Sequence, residues 1–320
     1  MDASAHAGER RTGLVPWSGG LSHLRASQQD NIAAYLFLLP WFIGMVVITV
    51  GPILASLALA FTDYSVLAAP HWIGFANFIT MFTGDARYLS SVRTTLTYVA
   101  ISVPLVLLWG LFLALVLNQG MKLLPVFRAI FYIPSLLGTS VAVAILWYYM
   151  FGKEGLINLA LLRPLGIQGP SWVGDPSFAL YTLIVLNLWA FGSGMIIFLA
   201  GLRQIPTELY EAAALDGAAR WSRFWLITLP LLTPVLFFNA VLGLIGGFQA
   251  FTSAFVISGG TGGPADATLL YQVYLYQRGF VNLNMGYACA MAWVLLTVIA
   301  VCTGVLFWSQ KFWVFYGEDR

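Results

Sequence analysis

The side chains able to do acid–base or metal chemistry are few in this chain, and five of them fall in one short stretch. Asp, Glu, Lys and Arg make up 9% of 320 residues. Yet "ELYEAAALDGAARWSRFWLITLP", from Glu208 to Pro230, carries two Glu, one Asp and two Arg. The three histidines, His6, His23 and His71, are too scattered for a metal site or a nucleophile–base pair. "GKEG" at Gly152 lacks the leading glycine spacing and the closing Ser or Thr of a phosphate-binding loop. No catalytic residue, no metal ligand and no intrinsic ATP hydrolysis is therefore expected.

The elements that must position the charged stretch are apolar. Hydrophobic residues form 60% of the chain and the mean hydropathy is +0.83, whereas soluble proteins carry roughly 25% charged residues. A helix needs about 20 apolar residues to cross a bilayer, and six runs qualify: 32–61, 94–117, 128–151, 178–202, 229–257 and 285–308. None has Asp, Glu, Lys, Arg or His in its interior. Pro40, Pro52, Pro104, Pro134 and Pro234 interrupt several, which membrane helices tolerate when neighbours satisfy the freed carbonyls. Continuous rather than alternating apolar character excludes a β-barrel. The fold class expected is an all-α membrane protein of six transmembrane helices.

Lys and Arg set the orientation. With the N-terminus inside, the inner segments hold Arg10, Arg11, Arg25, Lys122, Arg128, Arg203, Arg220, Arg223, Lys311 and Arg320. The outer segments hold Arg87, Arg93, Lys153, Arg163 and Arg278. The excess favours both termini in the cytoplasm and puts the charged stretch there. The first apolar run exceeds the 7–15 residues of a cleavable signal core, so an uncleaved first span is expected. The chain then divides into a cytoplasmic tail (1–31), a membrane domain (32–308) with a charged loop at about 203–228, and a second tail (309–320). Cys289 and Cys302 both lie in the last span and read as small packing residues.

Within the loop, "IPTELYEAAALD" makes a short helix. Pro206 suits the first turn, Glu208 and Glu211 sit near the positive end of the dipole, and Ala212 to Leu215 are strong helix formers. Gly217 ends it as a residue free to turn left-handed. A second helix is expected to start near Ala218 and enter the fifth span at Pro230. One reading is an amphipathic loop anchored by Trp221, Phe224 and Trp225. The other starts from the small face of Ala212, Ala213 and Ala218, edged by Glu211 and Asp216. A lipid-lying helix prefers bulky apolar residues and a basic polar face, whereas a small, acidic-edged face fits a groove on another protein.

This stretch resembles the EAA motif of binding-protein-dependent ABC importers. Glu211, Ala212, Ala213, Gly217, Ile227, Leu229 and Pro230 stand at that motif's spacing, and Asp216 and Ala218 match its common "DGA" form. The resemblance continues through "IGFANF" (73–78), "FRAIFYIPSL" (127–136), "NLWAFGSGMIIFLAGLRQIP" (187–206) and "ISGGTGGP" (257–264), and is similar to the carbohydrate group. The C-terminal "QKFWVFYGEDR" resembles the large subunit of the maltose permease and the A subunit of the glycerol-phosphate permease. Unlike the maltose subunit, this chain has only about thirty residues at 62–93, with no large external insertion.

The resemblance implies a type I importer permease in the bacterial inner membrane, with Glu211, Ala212, Ala213, Asp216, Gly217, Ala218 and Pro230 in a coupling loop. It implies an ATP-binding subunit dimer that holds ATP and Mg²⁺, a second homologous permease subunit and an extracytoplasmic solute-binding protein. The chain needs no cofactor of its own, and no nucleic acid is expected. The solute path it implies is polar and aromatic, because amides pair with sugar hydroxyls and rings stack on C–H faces. Candidates are Thr139, Ser140, Asn187, Trp189, Phe191, Ser193, Phe248, Gln249, Phe251, Thr252 and Ser253. Asn187 aligns with a sugar-contacting Asn of the maltose relative, and Gln249 with its second amide cluster. Packing or a lipid belt is the alternative for the rings, and an interhelical hydrogen bond for the amides.

A glycerol phosphodiester or polyol importer of the same type ranks second, since a phosphate calls for Arg or Lys in the path. An ion-coupled transporter needs an in-span carboxylate, which the spans lack. A passive channel or scaffold leaves the charged loop unexplained.

Overall fold

A computed structural model describes residues 31, 34–119, 124–138 and 140–315. Of the two expected tails, all but Asn31 of the first, and residues 316–320 of the second, lie outside the described residues. Contacts divide the chain into Met1–Ala55 and Ser56–Arg320. In the first unit the described chain is helical, part of α1 (Ala34–Leu59), and its apolar side chains other than half-buried Met45 are exposed.

The second unit holds α2 (Ala76–Thr83), α3 (Ala86–Leu117), α4 (Leu124–Leu137), α5 (Val141–Met150), α6 (Pro176–Trp189) and α7 (Gly192–Gln204). Then come α8 (Thr207–Leu215), α9 (Leu229–Phe248), α10 (Thr252–Ile257), α11 (Tyr271–Tyr276) and α12 (Met285–Trp313). No β-strand occurs among the described residues.

The six apolar runs do not all become continuous helices. Ala34–Leu59, Ala86–Leu117, Arg220–Ile257 and Met285–Trp313 are each long and apolar enough to cross a membrane. The run at 128–151 is instead α4 and α5, bent by 95°, and that at 178–202 is α6 and α7, bent by 45°. Hydropathy reports length and polarity but not axis direction, so both bends escape it. The second span also starts earlier than expected. Asp85 accepts a hydrogen bond from the Tyr88 amide at 3.0 Å and caps α3 ahead of the apolar run.

α3 is the mast of the bundle, 32 residues long, or about 48 Å at 1.5 Å per residue. Around its N-terminal half, Tyr88, Tyr98 and Val99 pack with Leu183, Leu186, Tyr271, Tyr274, Tyr287 and Met291. Around its C-terminal half, Leu111, Ala114 and Leu117 pack with Phe198, Leu199, Leu202 and Leu232. The bundle therefore has two cores and two ends, with α8 joined to the second core through Tyr210.

Candidate functional site

The helix breaks meet. At the α6–α7 break Ser135 of α4 bridges the gap: its hydroxyl donates to the Ala190 carbonyl at 3.0 Å and accepts from the Ser193 amide at 2.9 Å. Only glycine fits at 192, since a Cβ there would stand 2.7 Å from Ser135 Oγ and 2.9 Å from Tyr132 Cα. The α4–α5 break begins at Gly138, and the α9–α10 break falls at Gln249–Phe251. The three enclose a cavity of about 210 Å³ whose wall includes Tyr98, Gly138, Asn187, Ala190, Gln249 and Phe251. Irregular backbone at membrane depth is tolerated where it lines a cavity, and interrupted apolar segments are where transporters place their sites.

The structure sorts the path residues expected from sequence. Asn187, Gln249, Phe251, Thr252 and Ser253 all line the cavity. Neither the Asn187 nor the Gln249 amide forms a side-chain hydrogen bond with another described residue. The remaining candidates lie elsewhere. Ser140 accepts from the Val143 amide at 3.3 Å and caps α5. Phe191 is buried against Phe131 and Trp109 in the second core. Ser193 lends its amide to Ser135 and is otherwise exposed. Phe248 turns away into a separate apolar cavity of about 190 Å³, beside Tyr88 and Tyr271. Trp189 lies 6.3 Å from Trp147 by ring centroid. Thr139 lies outside the described residues.

Tyr98 is a wall residue that sequence reasoning missed. The readable signal was the stripe Ser91, Thr95, Tyr98 and Ser102, a single helical face of polar residues in an apolar run, all buried.

At the other end of the second core, α8 stands on the surface with no buried residue. Its C-terminus forms a Schellman motif. The Ala218 amide donates to the Ala213 carbonyl at 2.9 Å, the Gly217 amide to the Ala214 carbonyl at 3.1 Å, and Gly217 sits at φ +77°. The next helix starts at Arg220 rather than Ala218, passes through a π-helical stretch at Phe224–Thr228, and continues as α9 with Pro230 in its first turn. Tyr210 and Thr228 pair their hydroxyls at 2.9 Å and tie α8 to that stretch. Glu211, Ala212, Asp216 and Gly217 are exposed, Ala213, Ala218 and Pro230 half-buried, and Leu215 is 90% exposed. The acidic edge thus borders an uncovered apolar side chain.

The N-terminal end of α3 carries a polar knot that the charge count alone did not reveal. Asp85 Oδ2 accepts from Tyr274 at 2.6 Å, Arg278 at 2.6 Å and Tyr287 at 2.7 Å. Burial pushes the Asp85 carboxyl up, but the donors from Tyr274, Tyr287, Arg278 and the Tyr88 amide outweigh it and hold the pKa at about 2. Beside it Arg87 grips Asp266 through two nitrogens, at 2.7 and 2.9 Å.

Residues 76–313 match the family described as "Binding-protein-dependent transport system inner membrane component". The chain is 51% identical over 293 residues to the probable ABC transporter permease protein YesP of Bacillus subtilis, covering 91% of this chain and 94% of that one. It is 30% identical over 287 residues to the lactose transport system permease protein LacF of Rhizobium radiobacter, covering 88% and 95%. Its fold matches a chain in the crystal structure of a bacterial alginate ABC transporter in complex with alginate pentasaccharide-bound periplasmic protein. The TM-score is 0.77 at 23% identity, covering 89% of this chain and 96% of that one. The helical bundle with its broken spans is thus the type I importer permease fold in a multi-pass membrane protein. The chain belongs to the family of binding-protein-dependent ABC transporter inner-membrane permeases.

Proposed function

We propose that the chain carries a sugar across the inner membrane as one permease subunit of an ABC importer. The cavity between Asn187 and Gln249 carries this reading. Two unpaired amides, the Thr252 and Ser253 hydroxyls and the Phe251 ring line about 210 Å³, which suits a solute bearing hydroxyls and C–H faces. The name of the lactose relative supports the same class of solute.

The chain supplies no phosphate loop, so ATP and Mg²⁺ belong to a partner ATPase subunit dimer. That subunit docks on α8, with Glu211 and Asp216 as acidic contacts and Leu215 as the apolar one. Gly217 and the Tyr210–Thr228 pair make the loop a lever that follows closure of the ATPase dimer. A second, homologous permease subunit completes the path, and an extracytoplasmic binding protein delivers the solute to the end bearing Asp85, consistent with the family's dependence on such a protein. Both termini and α8 then face the cytoplasm, in line with the distribution of Lys and Arg.

The test uses the assembled importer in proteoliposomes, with ATP on the α8 side. Uptake of radiolabelled lactose, maltose or an arabino-oligosaccharide that requires ATP and the binding protein is the expected result. ATP-driven uptake of none of these sugars overturns the reading.

A further inference from the structure

Phe251, Phe255, Tyr276 and Phe280 form one unbroken ladder of rings. Centroids of Phe251 and Phe255 lie 5.0 Å apart, of Phe255 and Tyr276 5.1 Å, and of Phe251 and Tyr276 5.5 Å. Tyr276 and Phe280 stack at 5.2 Å with planes 24° apart. The ladder has two different ends. Phe251 lines the cavity of Asn187 and Gln249. Phe255 and Tyr276 line a second, open recess of about 480 Å³ rimmed by Arg87, Gln277 and Asn282. Phe280, 59% exposed, is the outer ring of the ladder.

We propose that this ladder is a stacking track along which a sugar ring passes from the recess at Arg87 and Asn282 to the cavity at Asn187 and Gln249. The inference rests on the sugar reading above and adds the route. Phe251, Phe255 and Tyr276 are half-buried, and each borders one of the two spaces. Neighbouring centroids 5.0–5.5 Å apart let a ring-sized solute reach the next face before leaving the last. No step then requires full return to water, and several weak sites in series favour passage over retention.

The rim supplies the matching polar edge. Arg87 is held by Asp266 and by the Thr261 carbonyl, and Gln277 donates to the Gly260 carbonyl at 2.6 Å. The mouth is thereby fixed in shape with its cation neutralised. The Asn282 side chain is exposed and forms no hydrogen bond with another described residue. It is free to meet a solute hydroxyl as the first ring stacks.

The test measures uptake kinetics in proteoliposomes holding the assembled importer, with whichever of radiolabelled lactose, maltose or arabino-oligosaccharide the wild type imports. Tyr276→Leu and Phe255→Leu remove a stacking face, and each raises KM about three- to tenfold. Tyr276→Trp keeps a face and restores the wild-type KM. Phe280→Ala, at an exposed position, tests the outer end of the ladder where folding is not at stake, and raises KM about threefold. Unchanged KM in the leucine and alanine variants overturns the track while leaving the sugar reading standing. Loss of the second permease subunit on purification of Phe280→Ala assigns that ring to an interface and also overturns it. A wild type that imports none of the sugars overturns the function and the track together.

Discussion

Tyr210 and Thr228 hold their hydroxyls 2.9 Å apart across the turn made by Gly217. This bond joins the surface helix α8 to the helix that becomes α9, and α9 in turn ends at Gln249 in the cavity wall. One covalently continuous element therefore runs from the exposed acidic loop to the polar cavity. Removing the bond with Tyr210→Phe or Thr228→Val costs about 1 kcal/mol. The expected outcome is an assembled complex that still hydrolyses ATP but imports several-fold less solute per ATP. Uptake and phosphate release measured on the same vesicles check it, and an unchanged ratio refutes the lever.

Gly217 has φ +77° but no atom within 4 Å of a built Cβ. The cost of a side chain there is thus backbone strain alone, about 1–2 kcal/mol for an ordinary residue. Gly217→Asn should retain most solute-stimulated ATP hydrolysis, Gly217→Val should lose much of it, and Gly217→Pro should abolish it with membrane insertion intact. Equal activity in all three variants would show that the turn geometry does not matter for coupling.

Glu211→Lys reverses the charge on the exposed edge of α8 without touching the core. Solute-stimulated ATP hydrolysis should be lost, and the ATPase subunit should co-purify less well at low salt. Normal transport by this variant sinks the docking role of α8.

Asn187→Ala and Gln249→Ala each remove an amide from the cavity. A hydrogen bond to a neutral hydroxyl contributes about 0.5–1.5 kcal/mol, so KM for uptake should rise about three- to tenfold with basal ATPase intact. Phe248→Leu is the control. Its ring lies in the apolar cavity by Tyr88 and Tyr271, so it should lower thermal stability and leave KM alone. The reverse pattern would move the path to the other side of α9.

Asp85 gives a pH dependence with a definite sign. Its carboxyl is held at about 2 against an ordinary 3.8, so its contribution is fully present above about pH 4 and is lost as pH falls toward 2. By linkage this contribution is on the order of 2 kcal/mol at neutral pH. Asp85→Asn should therefore lower the unfolding temperature of the detergent-solubilised complex at pH 7. The gap from wild type should narrow as pH falls from 4 toward 2. A gap independent of pH would show that the carboxylate is not what binds Arg278, Tyr274 and Tyr287.

Much of the fold was legible because membrane helices are a matter of length and polarity. Six apolar runs, the charged loop and the glycine that ends α8 all follow from local rules, and each appears in the structure at or near its expected place. The bends did not follow. Ser135, Gly138 and Gly192 make two breaks lie against each other, and that depends on a close approach between helices which neither run encodes alone.

The sequence by itself determined that this chain is a helical membrane protein whose apolar runs carry no Asp, Glu, Lys, Arg or His in their interiors, and that it has a charged loop resembling that of importer permeases. Local propensity, hydropathy and motif spacing are properties of contiguous residues, so they survive without a fold. Only the tertiary structure decided that Asn187 and Gln249 share a cavity, that Phe251 faces it while Phe248 turns away, and that Asp85 meets Arg278 across 193 positions of chain. Those outcomes depend on the azimuth of each helix and on where its axis breaks. Packing against neighbouring helices sets both.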